Sequence, residues 1–209
     1  MKPAVEHRDR LYRRALRLEY LTIGWNVGEA FLTIALGAVA ASLALIGFGI
    51  VSVIEVFASG IVVWHLLPGH EGNRPDRTRI ALRLTSGAFG ALAVTLAIMA
   101  IRDLATGRVA GESLWGITYL AVTALVMLGL AAMKRRVAAK LDSAPLRAEA
   151  RMTFLDAMLS TATLTGLALN AFLGWWWADP LAALLVAIAA AAEARENWEE
   201  ADELSAHSG

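Results

Sequence analysis

The chain has 209 residues, 57% of them hydrophobic and 18% charged, with a mean hydropathy of +0.55; this is too apolar for a soluble domain and points to a membrane protein. Its 19 basic and 19 acidic side chains cancel, so net charge argues neither for nor against nucleic acid, and no nucleic-acid partner is expected. There is no cysteine, which excludes disulfides, thiolate zinc sites and thiol nucleophiles.

The N-terminal "MKPAVEHRDRLYRRALRLEY" is charged and helix-permitting, and residues 1–17 read as a cytoplasmic basic arm. The apolar run behind it is too long for a signal-peptide core and lacks a cleavage site, so it reads as a retained first span. A hydrocarbon core of roughly 30 Å takes about 20 apolar residues rising about 1.5 Å each. Six segments qualify, 18–40, 42–67, 80–104, 113–133, 150–173 and 179–195, the last being the shortest. Turn chemistry separates them: "LLPGHEGNRPDR" and "ATGRVAGES" are polar loops, and "LDSAP" stops a helix. In "WWWADP" an aromatic cluster suited to the headgroups precedes Asp179 as N-cap and Pro180 at the first helical position. The expected fold is all-α and polytopic, a six-helix transmembrane domain over 18–196 followed by a polar tail over 197–209 that is too short to fold alone.

The basic residues assign the sides. One side collects Lys2, Arg8, Arg10, Arg13, Arg14 and Arg17 of the arm, then Arg74, Arg77, Arg79 and Arg83 after span two. It also collects Lys134, Arg135, Arg136, Lys140, Arg147 and Arg151 after span four, and Arg195 after span six. Only Arg102 and Arg108 fall on the other, so both termini are expected in the cytoplasm, in a multi-pass protein of the cell membrane. The clusters read as topology signals, with anionic lipid contact as the alternative.

Three acids lie well inside spans: Glu29 in the first, Glu55 in the second and Asp156 in the fifth. Each costs about 2.5–3.5 kcal/mol at the bilayer centre, so each needs a partner, a proton or a metal ion. Asp103 and Asp179 sit at span ends and read as structural. "SVIEVFAS" places Ser52, Glu55 and Ser59 on one helical face, and "TFLDAMLS" places Thr153, Asp156 and Ser160 at the same offsets, each strip about 10 Å long. Such hydroxyls either join a site or satisfy carbonyls of their own helix. In "WNVGE", Asn26 and Glu29 share a face, either as an interhelical hydrogen-bonded pair or as ion ligands.

Carboxylate, amide and hydroxyl oxygens suit magnesium, manganese or ferrous iron, whereas zinc usually recruits His or Cys. His7 and His207 lie in the tails, and His65 and His70 lie where span two leaves the membrane, at a point where they could gather a metal at the entrance. A carboxyl group deep in a bilayer can hold a proton until a cation displaces it. No Ser/His/Asp, Cys/His or His-x-x-x-His arrangement stands in or beside a span, so no enzyme is expected.

Through "GAVAASLALIGFGIVSVIEVFASGIVVW" and "RMTFLDAMLSTATLTGLALNAFLGWWWADPLAAL" the chain resembles the cation diffusion facilitators, and in particular the short branch that lacks the cytoplasmic C-terminal domain. "SLALIGFG" and "LNAFLGWWWADP" are the most specific phrases. The resemblance implies a six-helix, proton-coupled exporter of divalent metal and a homodimer, here held by membrane contacts alone. Small residues such as Gly37, Ala41, Gly47 and Gly49 permit close helix approach. It also implies an ion held by two residue pairs that fall on Val51 and Glu55 and on Met152 and Asp156. Val51 has no lone pair and the Met152 thioether is a soft ligand, so one carboxylate per helix survives.

The expected function is transport of a divalent cation (zinc, manganese or ferrous iron) against protons, with no tightly bound cofactor. Glu55 and Asp156 would be ligands and proton carriers, Glu29 and Asn26 auxiliary, and Ser52, Ser59, Thr153 and Ser160 supporting. The alternative is a non-transporting scaffold or regulatory subunit that kept the helices and lost half the site.

Overall fold

The computed structural model describes residues 2–39, 43–67, 75–107 and 114–206. Six helices account for them: α1 (Lys2–Val39), α2 (Leu43–Leu66), α3 (Pro75–Thr106), α4 (Leu114–Leu141), α5 (Ala144–Leu173) and α6 (Ala178–Ala206). The chain is therefore all-helical, and among the described residues there is no strand. The loops "LLPGHEGNRPDR" and "ATGRVAGES" lie mostly outside the described residues, as do Ala41, His70, Arg74, Arg108 and His207.

Each predicted span coincides with one helix, but the helices overrun the spans. Neither "KRRVAAKL" at the end of α4 nor "EARENWEEADELSA" at the end of α6 contains a Gly or Pro to stop the turn, and both are rich in good helix formers. The polar tail therefore continues α6 as far as Ala206. Ion pairs anchor the C-terminal half of α6: Arg151 reaches Glu193 at 2.9 Å and Glu196 at 2.8 Å, and Arg83 reaches Asp202 of the tail at 2.8 Å.

Between α4 and α5 the chain reverses in two residues. Asp142 takes a left-handed φ of 50°, which Asp tolerates better than most residues. The Ser143 amide then donates to the Ala138 carbonyl at 3.1 Å, and Pro145 fits the first turn of α5, where its missing N–H costs nothing. At the other end α5 closes on Gly174, φ 69°, whose amide donates to the Asn170 carbonyl at 2.9 Å. Helix α6 starts at Ala178, one residue before the expected cap. The Trp177 carbonyl accepts the Leu181 amide at 3.1 Å, which leaves Asp179 inside the first turn rather than at its cap.

Four helices are long and apolar enough to cross a membrane: Ile46–Leu66, Asp76–Thr106, Ile117–Leu141 and Ala144–Leu173. Helices α1 and α6 do not meet that measure among the described residues. Glu19, Asn26 and Glu29 interrupt α1, and α6 turns charged from Glu193.

Side-chain pairs fix the helix directions. Asn26 and Glu29 of α1 meet Glu55 and Ser52 of α2, so one number rises as the other falls, and the two helices are antiparallel. Ser86 and Arg83 of α3 meet Ala194 and Asp202 of α6 in the same sense. Gly47 lies against Met99 of α3, where an added Cβ would come within 2.6 Å of the sulfur. Gly49 fits against Ile34 and Thr33 of α1. Gly47 and Gly49, two of the small residues expected to permit close approach, are thus used inside this chain. The apolar interior forms two clusters. One, around Phe89, Leu92 and Met152, joins α2, α3, α5 and α6; the other, around Leu18, Met127 and Leu146, joins α1, α2, α4 and α5.

Candidate cation site and buried ion network

Polar stripes line the interior of three helices. On α1, Glu19, Thr22, Asn26, Glu29 and Thr33 are all buried, and their alternating spacing of three and four keeps them on one helical face. Helix α2 offers Ser52, Glu55 and Ser59, and α5 offers Glu149, Thr153, Asp156 and Ser160, all buried. Taking polar groups out of water is unfavourable unless they find partners. The stripes are therefore expected to meet, and they do so in two layers about 10 Å apart, the seven-residue rise from Glu149 to Asp156 on α5.

The first layer holds the sequence-predicted acids. Asn26 Nδ2 donates to Glu55 Oε2 at 2.8 Å, and Ser52 Oγ donates to Glu29 Oε2 at 3.1 Å. The Tyr119 hydroxyl of α4 donates to Glu29 Oε1. Both Glu29 oxygens are thereby engaged. The carboxylates of Asp156, Glu29 and Glu149 all act electrostatically on Glu55. Several buried oxygens on these polar stripes have no hydrogen-bond partner: Glu55 Oε1, Asp156 Oδ2, Asn26 Oδ1 and Ser160 Oγ. They come from α1, α2 and α5, and all belong to the hard-ligand class that suits a divalent cation.

The second layer was not foreseen. Lys134 of α4 is fully buried between Glu19 of α1 and Glu149 of α5. Its ammonium lies 2.7 Å and 2.6 Å from the two Glu149 oxygens, 3.1 Å from Glu19 Oε2 and 3.2 Å from Thr153 Oγ1. Ser59 and Thr153 donate to Glu149 Oε1 at 2.8 Å and 3.1 Å. Ser59 and Thr153 share a helical face with Glu55 and Asp156, but their hydrogen bonds serve Glu149.

Lys134 belongs to the basic cluster after span four that reads as a topology signal, and Glu149 stands one residue before the expected start of span five. The two-residue reversal at Asp142 and Ser143 draws both into the bundle. The signal that could have found the layer was the α1 stripe, because Glu19 continues the periodicity of Asn26 and Glu29 toward the arm.

Val51 and Met152 are 2% and 1% exposed and belong to the same apolar cluster, packed with residues of α3 and α6. Among the described residues no group of three or more His, Cys, Asp or Glu side chains is placed to hold a metal ion. The unpartnered oxygens instead belong to two acids, an amide and a hydroxyl. His65 stands in the last turn of α2, ten residues and about 15 Å along the helix from Glu55.

The family model described as the cation efflux transmembrane domain matches residues 80–202, more than half of the chain. The match takes in Asp156, Glu149 and Lys134. It stops short of α1 and α2, so Glu55, Asn26, Glu29 and Glu19 lie outside it. No curated protein matches the chain at a significant level.

Proposed function

The chain belongs to the cation efflux family, membrane transporters of the cation diffusion facilitator type, and we propose that it moves a divalent metal ion out of the cytoplasm in exchange for protons. Zinc, manganese and ferrous iron are the ions considered. All six helices cross the membrane in this reading, with both termini in the cytoplasm, and two copies pair through membrane-facing surfaces.

One observation carries the proposal: Glu55, Asp156, Asn26 and Ser160 each keep a buried oxygen without a hydrogen-bond partner. Such oxygens lose water and gain nothing unless a ligand supplies the missing interaction. Two nearby carboxyl groups in a dry interior need positive charge, which either a divalent cation or protons can provide. A site that exchanges one for the other is an antiport site. Glu55 and Asp156 are the proposed ligands and proton carriers, and Asn26 and Ser160 complete the oxygen set. Glu29, held by Ser52 and Tyr119, adds charge beside the site.

The test is flux into liposomes. Purified protein is reconstituted with a metal-sensitive dye inside, and zinc, manganese and ferrous iron are offered under an imposed proton gradient. Proton-driven flux of at least one ion is expected, with loss of flux in Glu55→Gln and in Asp156→Asn. If no ion moves, or if both variants transport as the parent does, the reading fails and a non-transporting subunit becomes the better account.

A further inference from the structure

We infer that the second layer is a second cation site, for a divalent ion with oxygen ligands, and that Lys134 is the tethered cation occupying it in this conformation. Among the described residues, four oxygens surround the Lys134 ammonium within 3.2 Å: both oxygens of Glu149, one of Glu19 and the Thr153 hydroxyl. A bidentate carboxylate, a monodentate carboxylate and a hydroxyl are the groups from which a hard divalent ion builds its shell, at somewhat shorter distances of about 2.0–2.6 Å. Lys134 takes the ion's place as a compact point charge on a flexible stem.

Charge balance points the same way. Two carboxyl groups face one ammonium, so the layer has room for one further positive charge, a proton or a metal ion. Glu19 is fully buried, and its Oε1 has no hydrogen-bond partner. An unpartnered carboxylate oxygen beside an ammonium is a place for further positive charge. A divalent ion in place of Lys134 would balance both acids.

The layer also has a position along a route. Ser59, which donates to Glu149, stands one helical turn from Glu55 on α2, and Glu149 stands two turns from Asp156 on α5. An ion entering from the charged ends of α4 and α5 meets Glu19 and Glu149 before it meets Glu55 and Asp156. It would displace Lys134 on arrival, and Lys134 would return when it moved on. That route rests on the transport reading; the oxygen cage does not.

The experiment follows Lys134 itself. Purified full-length protein is treated with a small amine-acylating reagent, with and without manganese(II), and acylation of Lys134 is quantified by mass spectrometry. The other lysines serve as internal controls. Manganese is expected to raise Lys134 labelling several-fold, and to do so equally in a Glu55→Gln, Asp156→Asn double variant whose first-layer site is disabled. In Glu149→Gln, high labelling without manganese and no response to it are expected. Unchanged labelling in the parent protein overturns the inference. A manganese response that disappears in the double variant overturns it too, because Lys134 would then be reporting the first layer at a distance. Failure of the transport reading shows separately, as absent flux with the labelling response intact.

Discussion

The Asn26 side-chain amide on α1 donates to Glu55 Oε2 on α2 at 2.8 Å, and Asn26 Oδ1 and Glu55 Oε1 are left without a partner. This pair joins the first two helices at the depth where the candidate ligands meet. It orients Glu55 so that one oxygen is fixed and the other remains available. Replacing Asn26 with Leu is expected to lower bundle stability by about 0.6–2 kcal/mol, the range for a polar contact between membrane helices. It should also weaken manganese binding while leaving the helix content unchanged. A thermal unfolding series with and without manganese checks both effects: the metal-induced rise in Tm should shrink in the variant.

Restoring a ligand to each apolar partner position should create affinity for zinc. Val51 and Met152 share one buried cluster with Leu155 and Leu159. Val51→Asp alone is expected to destabilise the protein, because a carboxylate enters an apolar cluster without a partner. Combined with Met152→His, it should make Tm depend on zinc, and equilibrium dialysis should show tighter zinc binding than in the parent. Zinc affinity that is unchanged would mean that these two positions do not face the space between Glu55 and Asp156.

Gly166 sets how closely α5 and α6 approach. A Cβ there would lie 2.5 Å from the Asp179 Cβ and 2.7 Å from its Cα, and backbone atoms cannot yield as a flexible side chain does. Gly166→Ala should therefore destabilise by about 1–3 kcal/mol, the usual range for forced overpacking. Gly90→Ala, where nothing lies within 4 Å, should instead stabilise α3 by about 0.5–1 kcal/mol. Paired thermal melts in one detergent give both signs.

Removing the charge of Lys134 should be far more damaging than removing that of an exposed basic residue. Lys134→Met leaves Glu19 and Glu149 buried without their counter-ion, at a cost of about 3–5 kcal/mol. A triple variant with Glu19→Gln and Glu149→Gln as well should recover much of that loss, since no buried charge then remains. Thermal melts of the parent, single and triple variants decide it, and a single variant as stable as the parent would contradict the buried ion network.

A chain without cysteine is ready for topology mapping. Single substitutions Asp9→Cys and Glu199→Cys should react with a membrane-impermeant thiol reagent from the cytoplasmic side only, and Thr106→Cys from the opposite side only. Labelling of the first two from different sides would overturn the six-crossing arrangement.

The sequence by itself determined the helices and the acids. Hydrophobic runs of span length, broken by short polar or Pro-containing stretches, can bury their backbone polar groups only as helices. Isolated carboxyl groups within such runs cannot be neutral decoration, which made Glu29, Glu55 and Asp156 visible at once. Helical periodicity likewise placed Ser52 and Ser59 on the face of Glu55, and Thr153 and Ser160 on that of Asp156. Tertiary structure decided which of these groups became partners. A hydroxyl at the right spacing can turn to its own carboxylate, its own backbone or the next helix. Only the packing of α1, α2, α4 and α5 sent Ser52 to Glu29, and Ser59 and Thr153 to Glu149. The same packing turned Lys134 from one basic residue among several into the centre of a buried network. Periodicity fixes a face within one helix, but what that face meets depends on neighbours that are distant in the chain, here Glu19, 115 positions before Lys134.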